Sequence, residues 1–322
     1  MIDYIENKTT HILRRHRFTK DGSHKGDPEV FGSCNPAVLP EQVVEAAAER
    51  VSDEYSLSEL LCNPVCFEDP AKSVNIAIDD VGVKRQNSTR SKGPADSDKP
   101  TKRKYAHNTV ARINHDQKHY SLVGAGIKVT LRYLIAFLLS NKLLGCRFQF
   151  FTDGHTVLND TIRHCFKWYP NCGIILDWFH LVKKCKALLS LSLRGRLIRN
   201  EILTDLMPLL WHGLTNQAIE LLKQIEPAKI KNDEKLAKLI AYLERNNAMI
   251  PCYALRKNLG LCNSSAIGEK MNDLIVSTRQ KHNGMSWSKN GSLALAALTA
   301  AKLNGEDHTW LREKELSFKL AA

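Results

Sequence analysis

The sequence predicts an α/β fold, a mixed five-stranded sheet flanked by helices, followed by a long all-helical stretch. Three observations lead there. Short apolar segments come in the order three strands, helix, strand, helix, strand. Two of those strands run straight into acidic residues, at Ile78-Asp79-Asp80 and at Phe151-Thr152-Asp153. From residue 181 to residue 258 the apolar spacing is helical throughout.

The first 72 residues precede the sheet. Residues 1–39 are polar, punctuated by Gly and Pro, and carry a basic cluster at Arg14-Arg15-His16-Arg17, so irregular structure is expected. A helix is expected over 41–50, behind Pro40 at its N-terminal end, and another from Ser56 to Asn63-Pro64. This region reads equally as the remnant of a DNA-binding helical module or as packing helices.

The first part of the core spans 73–180. Val74-Asn-Ile-Ala-Ile78 alternates as a half-buried strand does, and Val81-Gly-Val83 continues it. Thr109 to His115 and Tyr120 to Val123 read as the next two strands, able to form an antiparallel meander with the first. Ile127 to Leu144 carries apolar residues at helical spacing, Arg147 to Phe151 is a strand, Val157 to Trp168 a helix, and Gly173 to Leu176 a short apolar strand. Helix-separated strands favour parallel addition to a sheet. Such a sheet is the ribonuclease H-like arrangement, although strand order by itself is also compatible with other α/β folds. Helices are then expected over 181–199, 201–212, 215–225 and 233–246 as an insertion running to 258, and 259–322 returns to the core as C-terminal helices.

Composition narrows the function classes. The chain has 322 residues, 43% hydrophobic and 25% charged, which excludes wholesale disorder. It holds 46 Lys and Arg against 34 Asp and Glu, a net charge of +12 that points to a polyanionic partner. The excess is concentrated. Lys84, Arg85, Arg90, Lys92, Lys99, Lys102, Arg103 and Lys104 stand against only Asp96 and Asp98, in a stretch with almost nothing apolar. Directly behind a strand that ends in acids, this stretch is expected to lie along phosphates, with a solvated surface loop as the plain alternative. The apolar run Leu134–Leu139 is far short of the ~20 residues of a membrane span, so no membrane partner is expected. The N-terminus has no basic stretch leading into an apolar core, and nine cysteines lack disulfide-scaffold spacing. A cytoplasmic, DNA-associated protein with reduced thiols is the expectation. Cys62 and Cys66 form the one close pair, and no second ligand pair follows at zinc-finger spacing.

The candidate chemistry lies in carboxylates. Asp79 and Asp153 end two different strands, where open α/β sheets usually bind ligands. A third acid, Glu269, lies on a helical stretch with Asp273 four residues on and on the same face. Each acid alone is as readily a turn residue or helix cap. Three that converge need a counter-charge, and magnesium, a hard cation that takes oxygen ligands, supplies it. Two such ions would activate a nucleophile and stabilise a leaving oxygen in phosphoryl transfer. Asp79 and Asp80 are adjacent, and in a strand of period two only one faces the site.

These residues carry a family resemblance. Asp79-Asp-Val-Gly-Val-Lys84 resembles the first-aspartate motif of Mutator-like bacterial insertion-sequence transposases, and Phe151-Thr-Asp153-Gly-His155 resembles their second. Asp177-Trp-Phe-His180 is similar to the (Cys or Asp)-x-x-His signature that follows in that group. Glu269, in Ala266-Ile-Gly-Glu-Lys-Met-Asn-Asp273 with Arg279-Gln-Lys-His282 downstream, resembles the third acid of the DDE triad. The resemblance covers Val74 to Asn304, and the all-helical insertion before the third acid is part of it.

The resemblance implies a DDE transposase that cleaves transposon ends and joins them to target DNA. Asp79, Asp153 and Glu269 would be the catalytic metal ligands for Mg2+, with Mn2+ able to replace it, and His180 would orient the scissile phosphate or Asp177. Asp80, Asp177 and Asp273 would support those ligands from behind. Lys84, Arg85, Lys99, Lys102, Arg103, Lys104, Arg279 and Lys281 would contact double-stranded DNA, on which the protein would act as a homodimer or larger assembly. Trp178, Phe179 and Trp287 are candidates to stack on an exposed base, or else core aromatics. The alternatives are a catalytically inactive, transposase-derived DNA-binding protein, or another ribonuclease H-like nuclease.

Overall fold

The computed structural model describes residues 1–18, 38–51, 54–61, 67–86, 105–264, 270–282 and 284–320. Its centre is one five-stranded sheet. The strands are β1 (Ser73–Lys84), β2 (Tyr105–His115), β3 (Lys118–Gly124), β4 (Arg147–Thr152) and β5 (Cys172–Leu176), in the spatial order β3-β2-β1-β4-β5. β1, β2 and β3 pair antiparallel, and β4 and β5 add in parallel on the other side of β1. The expected mixed sheet is present, and β1 and β2 are longer than their apolar patterns alone suggest.

Alternation along β1 sorts its side chains between two faces. Val74, Ile76 and Ile78 join Phe148 and Phe150 of β4 in a core under α4 (Ile127–Ser140) and α5 (Thr156–Cys165). Asn75, Ala77 and Asp79 face the opposite way. That second face is covered in two parts. Near β2 and β3 it meets the C-terminal helices, where Val81, Val110 and Val123 pack on Ile275, Val276, Ala296 and Ala300. Near β5 it meets the helical stretch, where Phe151, Ile175 and Leu176 pack on Leu181, Leu189, Leu239 and Tyr253.

The helical stretch is α6 (Trp178–Ser192), α7 (Arg196–Trp211), α8 (Thr215–Lys223), α9 (Asp233–Asn246) and α10 (Tyr253–Asn258). It lies outside the sheet, as expected of 181–258. One expected boundary is corrected. A single helix over 181–199 is two helices, because the chain turns at Leu193–Gly195, where Gly195 has φ +103°, a conformation that L-residues with a side chain rarely adopt. Leu193 and Ile230 form an isolated bridge at this turn.

The C-terminal part holds α11, helical over 270–280 with a π turn at Asp273–Ser277, then α12 (Lys289–Leu303) and α13 (Asp307–Glu313). Asn304 brackets β3, donating to the Ser121 carbonyl and accepting from its amide.

The N-terminal region is corrected more substantially. Residues 2–15, expected to be irregular, form helix α1 (Ile2–Arg15). Ile5, Thr9, Ile12 and Leu13 share one face at helical spacing, and that face joins the core beside α4. Helices α2 (Glu41–Ala48) and α3 (Leu57–Leu60) pack on α10 through Val44, Ala47, Leu60, Phe67, Cys252 and Leu255. The region is tied in by a fully buried ion pair in which Arg256 Nη1 and Nη2 donate to Glu68 Oε2 and Oε1 at 2.7 and 2.9 Å. No helix among the described residues is long and apolar enough to cross a membrane, and the described cysteines are all free.

Candidate active site

Strand register builds the site. Ala77 of β1 pairs with Phe151 of β4 in parallel, so Asp79 and Asp153, each two residues further on, stand on the same face, Asp79 within β1 and Asp153 just past the end of β4. Thr152 of β4 pairs with Leu176 of β5, which puts Asp177 next in the row, just past the end of β5. Asp79, Asp153 and His180 line one small pocket together with Ala77, Val110, Arg112, Thr152 and Asn272.

Asp79 is half-buried and both its oxygens are engaged. Oδ1 accepts from the Asp80 amide at 2.8 Å, and Oδ2 accepts from Asn272 Nδ2 at 2.7 Å. Its pKa is raised, first by burial and then by the negative charge of Asp153, while the Asp80 amide and His180 pull the other way. The two acids therefore form a like-charge pair where β4 ends beside the central strand β1.

Asp153 is fixed by its own turn. Its Oδ1 accepts from the His155 amide at 2.9 Å, and its carbonyl accepts from Tyr242 Oη at 3.0 Å. Gly154 permits the turn with φ +80°, and a Cβ there would meet Leu176 Cδ1 at 2.9 Å and Tyr242 Cε2 at 3.1 Å. The helical stretch thus reaches the site through Tyr242 of α9.

Asp177 is fully buried and caps α6, accepting from the Phe179 and His180 amides at 2.8 and 3.2 Å. The His180 ring reaches the same carboxylate, with Nδ1 at 3.6 Å from Oδ1. Ser264 Oγ also donates to Asp177, at 3.3 Å. This carboxylate holds the helix start and His180 in place behind the pocket.

Asp80 points away from the pocket. Its Oδ2 lies 2.7 Å from His107 Nδ1 and its Oδ1 accepts from Thr109 Oγ1 at 2.8 Å, so only its backbone amide supports Asp79. Alternation along β1 is the reason. Asp273 is exposed and does not line the pocket, whereas its neighbour Asn272 does. Glu269 lies outside the described residues, as do Arg90, Lys92, Lys99, Lys102, Arg103, Lys104, Cys62 and Cys66.

The remaining basic residues meet at one place. The Trp287 amide donates to the Lys84 carbonyl at 2.9 Å, Arg85 forms a parallel bridge with Trp287, and Trp287 Nε1 donates to the Gln280 carbonyl at 3.2 Å. The end of β1 and the end of α11 are joined there, bringing Lys84 and Arg85 beside Arg279 and Lys281, of which Lys84, Arg279 and Lys281 are exposed. Trp178 packs on Trp211 and Tyr253 and so belongs to the core, while Phe179 is exposed.

Sequence reasoning missed two residues of the pocket, Asn272 and Arg112. Arg112 had a legible signal, since it is a charge in the middle of the otherwise uncharged strand Thr109-Val-Ala-Arg-Ile113.

No curated protein and no solved structure matches the chain. A family model does match, over residues 156–317, a span that includes Asp177, His180 and Asn272 and excludes Asp79 and Asp153. That span is half of the chain, which therefore belongs to an uncharacterised protein family, UPF0236.

Proposed function

We propose that this chain is a DDE-type DNA transposase built on a ribonuclease H-like core. The observation that carries the reading is the register of β1 against β4, which sets Asp79 of β1 beside Asp153 at the end of β4 in a sheet ordered β3-β2-β1-β4-β5. An antiparallel meander extended by two parallel strands is the arrangement the resemblance to Mutator-like transposases implies.

The donor set suits magnesium. Two carboxylates, one with its pKa raised beside the other, supply hard oxygen ligands and form no ion pair with Lys or Arg among the described residues, and a bound divalent cation would stabilise charge on the oxygens of a phosphodiester during cleavage. Glu269 is the third donor in this reading. Three residues of chain connect it to Asn272, which touches Asp79, and fully extended chain spans at most ~3.6 Å per residue. Asn272 and the Asp80 amide orient Asp79, the Gly154 turn orients Asp153, and Asp177 orients His180 toward the substrate. Exposed Lys84, Arg279 and Lys281 would take DNA phosphates beside the pocket.

The test is a magnesium-dependent nicking and joining assay on duplexes carrying the DNA that flanks the gene. The wild-type protein should nick and join. Asp79→Asn and Asp153→Asn should each lower cleavage by orders of magnitude while DNA binding persists. DNA binding with no cleavage by the wild type would favour the inactive, DNA-binding alternative, and cleavage without joining would favour a nuclease.

A further inference from the structure

Three arginines are buried among the described residues, Arg256, Arg112 and Arg147, and the last, 8% exposed and donating to Asn171 Oδ1, lies away from the pocket of Asp79. Arg256 is 0% exposed and is matched by the Glu68 carboxylate, oxygen for nitrogen. Arg112 is 5% exposed and has no ion pair among the described residues. Its Nη1 donates to Ser121 Oγ at 2.8 Å, and its Nε has no hydrogen-bond partner. Burial lowers its pKa to about 10, which leaves it charged at neutral pH. A buried cation with no counter-ion is a standing cost to the fold, which a bound anion would remove.

The location of Arg112 says where that anion would sit. Arg112 of β2 pairs with Ala77 of β1, and Asp79 follows Ala77 on the same face. Both Arg112 and Ala77 line the pocket that holds Asp79, Asp153 and His180. Ala77, which stands between β2 and β4 on that face, carries only a methyl group. A planar guanidinium offers fixed N–H donors suited to a phosphate oxygen.

We propose that Arg112 is the phosphate-holding residue of this pocket, taking a non-bridging oxygen of a DNA phosphodiester between itself and the Asp79–Asp153 pair. The assignment rests on the transposase reading for the identity of the ligand as DNA, and on the pocket alone for its being a phosphate. Arg112 then holds the scissile group from the side opposite the carboxylates, and Ala77 sets how closely it approaches.

The test uses the full chain without added metal and two probes, inorganic phosphate at constant ionic strength and a short mixed-sequence duplex. Phosphate should raise the melting temperature of the wild type saturably, beyond what chloride does, and the duplex should compete for the same site. Arg112→Gln should weaken phosphate binding at least tenfold and lower the salt slope of duplex binding by about 0.9, one phosphate contact. Ala77→Leu should do the same with Arg112 left in place, so the test stands even if Arg112→Gln fails to fold. Asp79→Asn, which removes a repelling charge, should bind phosphate at least as tightly as the wild type. The proposal is overturned if the wild type shows no saturable phosphate effect, or if both Arg112→Gln and Ala77→Leu bind phosphate normally, which would make Arg112 a clamp on β3 only. Because these readouts need no cleavage, a wild type that binds phosphate but does not cut DNA overturns the transposase reading and leaves this site standing.

Discussion

Asn272 donates its side-chain amide to Asp79 Oδ2 at 2.7 Å, across 193 residues of chain. The bond joins a C-terminal helix to the middle of the first strand and is set where α11 changes to a π turn at Asp273–Ser277. Such turns are frequent at functional sites because they shift the face a helix presents by one residue. Here the shift begins immediately after the residue that holds the acid.

Replacing Asn272 tests that link. Asn272→Ala removes a hydrogen bond to a carboxylate, worth about 1.5–3 kcal/mol in general, from a half-buried acid. The protein should remain folded and bind DNA, with cleavage reduced tenfold or more. Asn272→Asp should be worse, since it sets a third negative charge against the Asp79–Asp153 pair. Cleavage by Asn272→Ala at the wild-type rate would show that Asp79 needs no outside orientation.

The raised pKa of Asp79 gives stability a pH dependence of definite sign. The folded protein holds this proton to a higher pH than the unfolded chain does. Stability contributed by the group is therefore fully present below the ordinary aspartate pKa and is lost as pH rises through the raised folded value. Asp79→Asn removes that loss, so at neutral pH without metal the variant should melt at a higher temperature than the wild type. Asp153→Asn removes the repelling charge, so Asp79 should titrate lower in that variant. NMR titration of the Asp79 carboxyl and thermal melts from pH 4 to 8, taken at about one-unit steps, measure both. A wild type more stable than Asp79→Asn across that range would contradict the sign.

Much of the sheet was legible because its signals are local. Alternation in β1 and β4 and the apolar run of β5 each identify a strand without reference to the rest of the chain, and Asp79 and Asp153 are visible as the acids that follow the apolar residues of two of them. What was not legible depends on distant packing. Helix α1 reads as polar, and its narrow face of Ile5, Thr9, Ile12 and Leu13 gains meaning only against α4. Asn272 is an ordinary polar helix residue until Asp79 stands opposite it. The break before α7 is marked in the sequence only by Gly195, between Arg194 and Arg196, inside a longer helical pattern.

Gly154 should tolerate no side chain. A Cβ there would stand 2.9 Å from Leu176 Cδ1 and 3.1 Å from both Asn246 Oδ1 and Tyr242 Cε2, on a backbone with φ +80°. The left-handed conformation costs an L-residue about 1–2 kcal/mol, and the crowding adds about 1–3 kcal/mol. Gly154→Ala should therefore lower stability in urea unfolding by about 2–5 kcal/mol and impair cleavage beyond that loss, because the turn carries Asp153. A variant with wild-type stability would mean that α9 can move away from the site freely.

The Glu68–Arg256 pair sets how the N-terminal region supports the site. Arg256 Nη2 also donates to the Cys262 carbonyl at 2.8 Å, the Asn263 carbonyl accepts from the Trp178 amide, and Ser264 donates to Asp177. A single buried guanidinium thus holds the stretch that reaches the Asp177 cap. Glu68→Gln leaves that guanidinium buried with its counter-ion gone, which should cost about 3–5 kcal/mol in urea unfolding. Replacing both partners, as Glu68→Leu with Arg256→Met, removes the desolvation penalty along with the attraction and should restore most of that loss. It does not restore the bond to Cys262, so the double variant should be stable and yet cleave DNA poorly. Recovery of both stability and cleavage would show that the ion pair only fills space. If Glu68→Gln instead stays within about 1 kcal/mol of the wild type, the pair does not tie the N-terminal region to the site.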